Sequence, residues 1–172
     1  MTEQPAPDRP PGAHWRAFAL IVLVVMGLDQ VTKRWIEATL APRESMAIIG
    51  DWVRLVHSQN SGALFGLLPN SAPGFAAISL LVIGAILWYQ ARAGASPYMT
   101  LTLGLLLGGA VGNLLDRIRL GYVVDFVDAG IGSIRWWTFN VADASISLAI
   151  VLIFLAGVRP SLAGPRRAAS NA

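Results

Sequence analysis

Four aspartates of this chain stand where an aspartate is costly. Asp29 closes one apolar run, Asp116 closes another, Asp143 opens a third, and Asp125 lies between the last two. An aspartate at the centre of a membrane helix costs roughly 2.5–3.5 kcal/mol, less near the ends, so such residues face a cavity or a partner. Acids in such places move ions, hold helices together, or cut a bond. For cutting, two carboxylates about 3 Å apart resist double ionisation and share one proton. One is then a base that activates water and the other an acid that protonates a leaving group. An amide can be hydrolysed this way without a metal or a nucleophilic side chain. The chain has no cysteine, which excludes thiolate catalysis, disulfides and Cys-ligated zinc. His14 and His57 are too far apart for a His-x-x-x-His site, and Ser145 and Ser147 lack a nearby base in the sequence. No metal and no cofactor is expected.

Other polar residues accompany the acids. Asp29 and Lys33 are i, i+4 on one helix face and can pair, with Gln30 in the same patch. A snorkelling, capped helix end is the plainer reading of that patch. Asn113, Asp116 and Arg117 also share a face. They form either a local Asp116–Arg117 pair or the polar floor of a pocket, in which Arg117 holds a substrate carbonyl or a neighbouring acid. Asn140 suits a helix N-cap and Asp143 the third helical position, which by itself would account for both. Asp125 and Asp128 fall in a loop, where solvation would account for them. On residue chemistry alone, Asp116 with Asp143 is as good a catalytic pair as Asp125 with Asp143.

The elements that position these residues are set by hydropathy. The chain has 172 residues, 55% of them hydrophobic and only 13% charged. With a mean hydropathy of +0.57, this is an integral membrane protein of single-bundle size. The net charge of +3 does not imply nucleic acid, because the basic residues sit at span ends and tails rather than in a patch. Spans are predicted over residues 15–36, 72–89, 98–117 and 140–158. Each approaches or exceeds the roughly 20 residues that cross a hydrocarbon core of about 30 Å. Trp15, Trp35, Trp88 and Tyr89 suit the membrane interfaces. No small-x-small site follows the first apolar core, so a cleaved signal peptide is not expected.

Residues 1–14 read as a disordered tail and 159–172 as a basic tail. The connections are residues 37–71 and 118–139. Ala47 to His57 partly alternates, which predicts one or two short strands at the membrane surface, followed by a turn-rich loop from Asn60 to Gly66. Gly104, Gly108 and Gly112 recur every four residues and admit a close helix neighbour. The next member of that series is Asp116, so the packed face runs into the acidic one.

Four spans put both termini on one side. Six Lys and Arg lie on the terminal side and seven on the loop side, but the six are carried by far fewer residues. The termini are therefore placed in the cytoplasm. The long loops and the ends bearing Asp29, Asp116 and Asp143 then share the outer side.

Five motifs occur in order: Leu28-Asp29-Gln30-x-x-Lys33, Asn60-Ser-Gly62-Ala-x-Phe65, Gly109-x-x-Gly112-Asn113-Leu-x-Asp116-Arg117, Val123-Val124-Asp125-Phe126 and Phe139-Asn140-x-Ala142-Asp143. Over residues 15–158 the chain resembles lipoprotein signal peptidase (signal peptidase II), a bacterial membrane aspartic peptidase family. The resemblance implies an all-α membrane fold, a four-transmembrane-helix bundle with a small extracytoplasmic β-sheet and loop subdomain. It implies Asp125 and Asp143 as the catalytic pair, cutting a prolipoprotein before its diacylglyceryl-cysteine. It assigns Asp29, Lys33, Asn60, Gly62, Asn113, Asp116, Arg117 and Asn140 to substrate binding and to orienting the pair. The segment 44–66 becomes a sheet cradling the substrate, and 128–138 a surface helix or flap carrying Trp136 and Trp137. A multi-pass protein of the inner membrane follows, monomeric, in contact with lipid, with its site near the outer face. Departures from the pattern are His57-Ser58-Gln59 before the asparagine, Leu64, and the order Ala144-Ser145.

Two other classes compete. An ion-coupled transporter would place its acids near the midplane and show broken helices or an internal repeat; the acids here are at span ends and no repeat is seen. A non-enzymatic assembly protein would use the glycine stripe as a dimer face.

Overall fold

The computed structural model describes residues 12–62, 72–92 and 96–163. Four helices dominate it: α1 (Gly12–Thr39), α2 (Ala72–Arg92), α3 (Pro97–Leu120) and α4 (Val141–Val158). All four are long and apolar enough to cross a membrane. Leu20, Leu81, Ile150 and Phe154 point outward from three of them, as side chains do when lipid rather than water surrounds a bundle.

α3 is the central helix and packs on the other three. Its glycines explain how. A Cβ at Gly104 would lie 2.8 Å from Ile21 Cγ2, one at Gly108 2.7 Å from Val25 Cβ, and one at Gly112 2.6 Å from Asp29 Oδ2. The four-residue stripe is thus the seat of α1. Gly109, on the adjacent face, does the same for α4, where a Cβ would meet Ala142 O at 2.5 Å. Phe18, Ile86, Leu103 and Leu107 fill the apolar core on one side of this stack. α3 begins under a Ser96 cap with Pro97 at its first position and ends at Gly121, whose φ of +78° suits a residue without a Cβ.

A four-stranded antiparallel sheet, ordered β1-β2-β3-β4, sits at one end of the bundle. Its strands are β1 (Ser45–Ile49), β2 (Val53–Asn60), β3 (Val123–Ile131) and β4 (Ile134–Arg135). Ser58 pairs with Asp125 and Asn60 with Val123, past an irregularity between Leu55 and Ser58. Val124 and Phe126 pack on Ile36 and Leu40 at the end of α1. Strand alternation then turns Asp125 to the opposite face, towards α3 and α4.

Three expectations change. Residues 118–139 were expected to be loop; β3 and β4 lie there, and β3 runs between β2 and β4. Of the surface helix or flap expected over 128–138, the helix is absent: the segment is a hairpin turning at Gly132, its first strand paired with β2 and with β4. Arg135 pins the hairpin, bonding Asp128 Oδ1 and the Asp51 carbonyl at 2.7 Å each. Residues 12–14, expected in the tail, begin α1. Residues 1–11, 63–71, 93–95 and 164–172, including most of the Asn60–Gly66 loop and most of both tails, lie outside the described residues.

Candidate active site

The polar residues of the five motifs converge where α1, α3, α4 and β3 meet. They divide into two groups that touch through Asn113.

The first group is centred on Lys33. Its ammonium donates to Asp29 Oδ2 at 2.8 Å, Asp116 Oδ2 at 2.9 Å and Asn113 Oδ1 at 2.8 Å. The i, i+4 pairing expected within α1 is present, and Asp116 joins it from α3. The local Asp116–Arg117 pair does not form, since adjacent helical residues point to different faces. Gln30 donates to Asp116 Oδ1 at 3.0 Å and to Asp29 Oδ2 at 3.2 Å. Backbone groups complete the set. Ala142 N, in the first turn of α4, donates to Asp29 Oδ1 at 3.0 Å, and Val124 N donates to Asp116 Oδ2 at 3.2 Å. Lys33, Asp29 and Asp116 are each 0% exposed, so these three expected substrate-binding residues face protein in this structure. Gln30 belongs to the group although only its place beside Asp29 hinted at it.

The second group is Asp125 and Asp143. Asp125 accepts from Asn140 Nδ2 at 2.7 Å on Oδ1 and from Asn60 Nδ2 at 2.9 Å on Oδ2. Asp143 accepts from Asn113 Nδ2 at 2.8 Å on Oδ1 and from Asn140 N at 3.2 Å on Oδ2. Among the described residues neither makes a salt bridge. The capping role expected of Asn140 and Asp143 is present as a reciprocal capping box. It does not exhaust them: while Asn140 Oδ1 caps the Asp143 N–H at 2.9 Å, its Nδ2 holds Asp125. Asp125 is buried on a strand rather than solvated in a loop, and Asp143 is half-buried.

Burial pushes the Asp125 carboxyl up from the ordinary 3.8 to about 7, and the neighbouring Asp143 carboxylate pushes the same way. The amides of Asn60 and Asn140 and the charge of Lys33 oppose the rise. A carboxyl that changes charge near neutral pH, beside a second one, is the property an acid–base pair needs.

Arg117 closes the site on a third side. Its Nη1 donates to the Asn113 carbonyl and its Nη2 to the Gly62 carbonyl, both at 3.3 Å. The guanidinium lies 5.7 Å from the ring centre of Phe75, an aromatic that nothing in the sequence sets apart from the apolar span around it. Gly62 N donates to Asn60 Oδ1 at 3.0 Å, which aims the Asn60 amide at Asp125. Ser145 Oγ is spent on the Ala142 carbonyl at 2.8 Å. Among the described residues no three His, Cys, Asp or Glu converge as a metal site would require.

The family model described as "Signal peptidase (SPase) II" matches residues 21–159. A lipoprotein signal peptidase of Syntrophomonas wolfei is 42% identical over 84% of this chain and 95% of its own length. One from Moorella thermoacetica is 41% identical over 79% and 89%. A solved bacterial membrane enzyme superposes with a TM-score of 0.79 at 28% identity, covering 89% of this chain and 94% of its own. A second gives 0.75 at 31% identity, over 83% and 92%. These likenesses favour a peptidase over the transporter and assembly-protein readings. The chain belongs to the signal peptidase II family.

Proposed function

We propose that the chain is a membrane aspartic endopeptidase that removes the signal peptide of prolipoproteins before the diacylglyceryl-cysteine, with Asp125 and Asp143 as its catalytic pair. The observation that carries this reading is the contrast in partners. Asp125 and Asp143 are held only by amide donors, whereas Asp29 and Asp116 are both paired with the Lys33 ammonium.

At neutral pH the pair holds one proton. The ionised member takes a proton from water as the oxygen adds to the scissile carbonyl carbon, and the protonated member donates to the carbonyl oxygen. Collapse breaks the C–N bond: the leaving amine carries off the proton taken from water, and one hydroxyl of the tetrahedral intermediate returns its proton to the member that had donated one. The pair returns to its singly protonated state. Arg117 and Asn60 flank the reacting groups and orient the extended substrate, with the sheet as its cradle.

The residue 15–158 body lies in the bacterial inner membrane as a monomer among lipids. Both tails are cytoplasmic and the sheet is extracytoplasmic, near the outer face. That placement lets a lipid-anchored substrate enter from the bilayer while water enters from outside.

Processing of a lipidated prolipoprotein by purified wild type, Asp125→Asn, Asp143→Asn and Asp116→Asn, with melting curves, tests the assignment. The first two variants should be stable and inactive. Normal cleavage by Asp125→Asn would remove it from the pair, and failure of wild type to cleave would remove the reading.

A further inference from the structure

We infer that Lys33 is a positioning residue for the catalytic pair: clamped between Asp29 and Asp116, it fixes the Asn113 amide so that Nδ2 holds Asp143. This rests on the aspartic-pair reading above. An ammonium has three donors and no acceptor. All three are used here, on Asp29, Asp116 and Asn113. The atom of Asn113 facing Lys33 is therefore its oxygen, and the opposite end of a planar amide is its NH2. That NH2 donates to Asp143 Oδ1 at 2.8 Å. Asn140 Nδ2 donates to the same Asn113 oxygen at 3.2 Å, so a flipped amide would turn its hydrogens on two donors. The same Asn140 Nδ2 donates to Asp125 Oδ1 at 2.7 Å. One buried cation on α1 thereby sets the direction of hydrogen bonds reaching α4 and β3.

Lys33 is fully enclosed, so contact with a peptide does not account for it. The glycine stripe also seats α1 on α3, so the clamp is not the sole tie between these helices. The charged groups around it are Asp29 on α1, Asp116 and Arg117 on α3, Asp143 on α4 and Asp125 on β3. Of the Lys33 and Asp29 charges, only that of Lys33 acts appreciably on Asp125, where it favours the ionised form.

The test compares wild type with Lys33→Met and with Lys33→Met/Asp29→Asn. The double variant leaves the charge of the clamp unchanged, keeps an acceptor for Ala142 N and strands one carboxylate instead of two, so it should cost less stability than the single variant. Two readouts are taken on folded protein: kcat/KM against pH on a lipidated prolipoprotein, and the carboxyl ¹³C titration of Asp125, assigned with Asp125→Asn. The expected result is a loss on the order of 100-fold in kcat/KM, as for a misplaced catalytic group. The Asp125 midpoint and the limb of the profile that it sets should move to higher pH, because a cation favouring its carboxylate is gone. That limb and the midpoint at their wild-type positions would overturn the inference, whatever the yield of folded protein. If wild type itself does not cleave, the peptidase reading fails. The carboxyl midpoint then still decides whether Lys33 governs Asp125: moved supports it, unmoved overturns it.

Discussion

Two pairs of aspartates share this site and differ in their partners. Asp29 and Asp116 are fully enclosed and grip one ammonium. Asp125 and Asp143 accept only from amides, and Asp143 is open to one side. A carboxylate gripped by a buried cation ties its elements together; one held by neutral donors in a dry place keeps a proton within reach. The same side chain is thus a rivet in one half of the site and an acid in the other. The difference comes from which residue lies opposite.

Substitutions should separate the halves. Asp125→Asn or Asp143→Asn removes the proton carrier and should lower kcat/KM by about 10²–10⁴-fold in the processing assay, with no loss of melting temperature. Lys33→Met should do its greatest harm to the fold. It leaves two buried carboxylates without their cation, which costs about 3–5 kcal/mol in denaturant unfolding. Asp116→Asn should resemble Lys33→Met more than Asp125→Asn. If Asp116→Asn abolishes cleavage while melting like wild type, the division between the pairs is wrong.

Gly112→Ala probes the seam between helices. Its Cβ would fall 2.6 Å from Asp29 Oδ2, and the overpacking should lower stability by about 1–3 kcal/mol. A wild-type unfolding free energy would show that α1 can give way there.

pH gives a gentler test. The Asp125 carboxyl is raised from 3.8 to about 7 in the folded state. The folded protein therefore binds that proton more tightly than the unfolded chain. Its contribution to stability is fully present below pH 3.8 and is lost as pH rises through about 7. Asp125→Asn, which cannot ionise, should gain on wild type in melting temperature from pH 4 towards pH 8. The smallest effect is expected for Asn60→Ala. Losing its amide takes one donor from Asp125, which moves the carboxyl further up and the activity limb that it sets to higher pH, at a stability cost of about 1 kcal/mol.

Much of the frame was readable before folding. Long apolar runs bounded by Trp15, Trp35, Trp88 and Tyr89 become helices because a membrane span must satisfy its own backbone. The Gly104–Gly108–Gly112 stripe marked a tight face, and α1 occupies it. Asn140 and Asp143 form the cap their spacing announced. β3 was hidden. Val123 to Phe126 is buried on both faces, by the end of α1 on one and by the site on the other, so it lacks the alternation that marks a half-exposed strand. Residue chemistry alone allowed a solvated loop position for Asp125, and only the resemblance in the Val123–Phe126 motif chose it as catalytic.

Composition and local spacing determined four membrane-crossing helices, a helix stripe that admits a neighbour, an N-capped fourth helix and a set of acids at span ends. Those properties depend on contacts within a few residues and on the solvent the chain prefers. That Asp116 joins Asp29 on the lysine was decided only by tertiary structure. Lys33 reaches Asp116 across 83 positions of sequence, and Asn60 reaches Asp125 across 65. A carboxylate's charge state depends on the partner and the dryness that the fold brings to it, and neither is written in its neighbours along the chain.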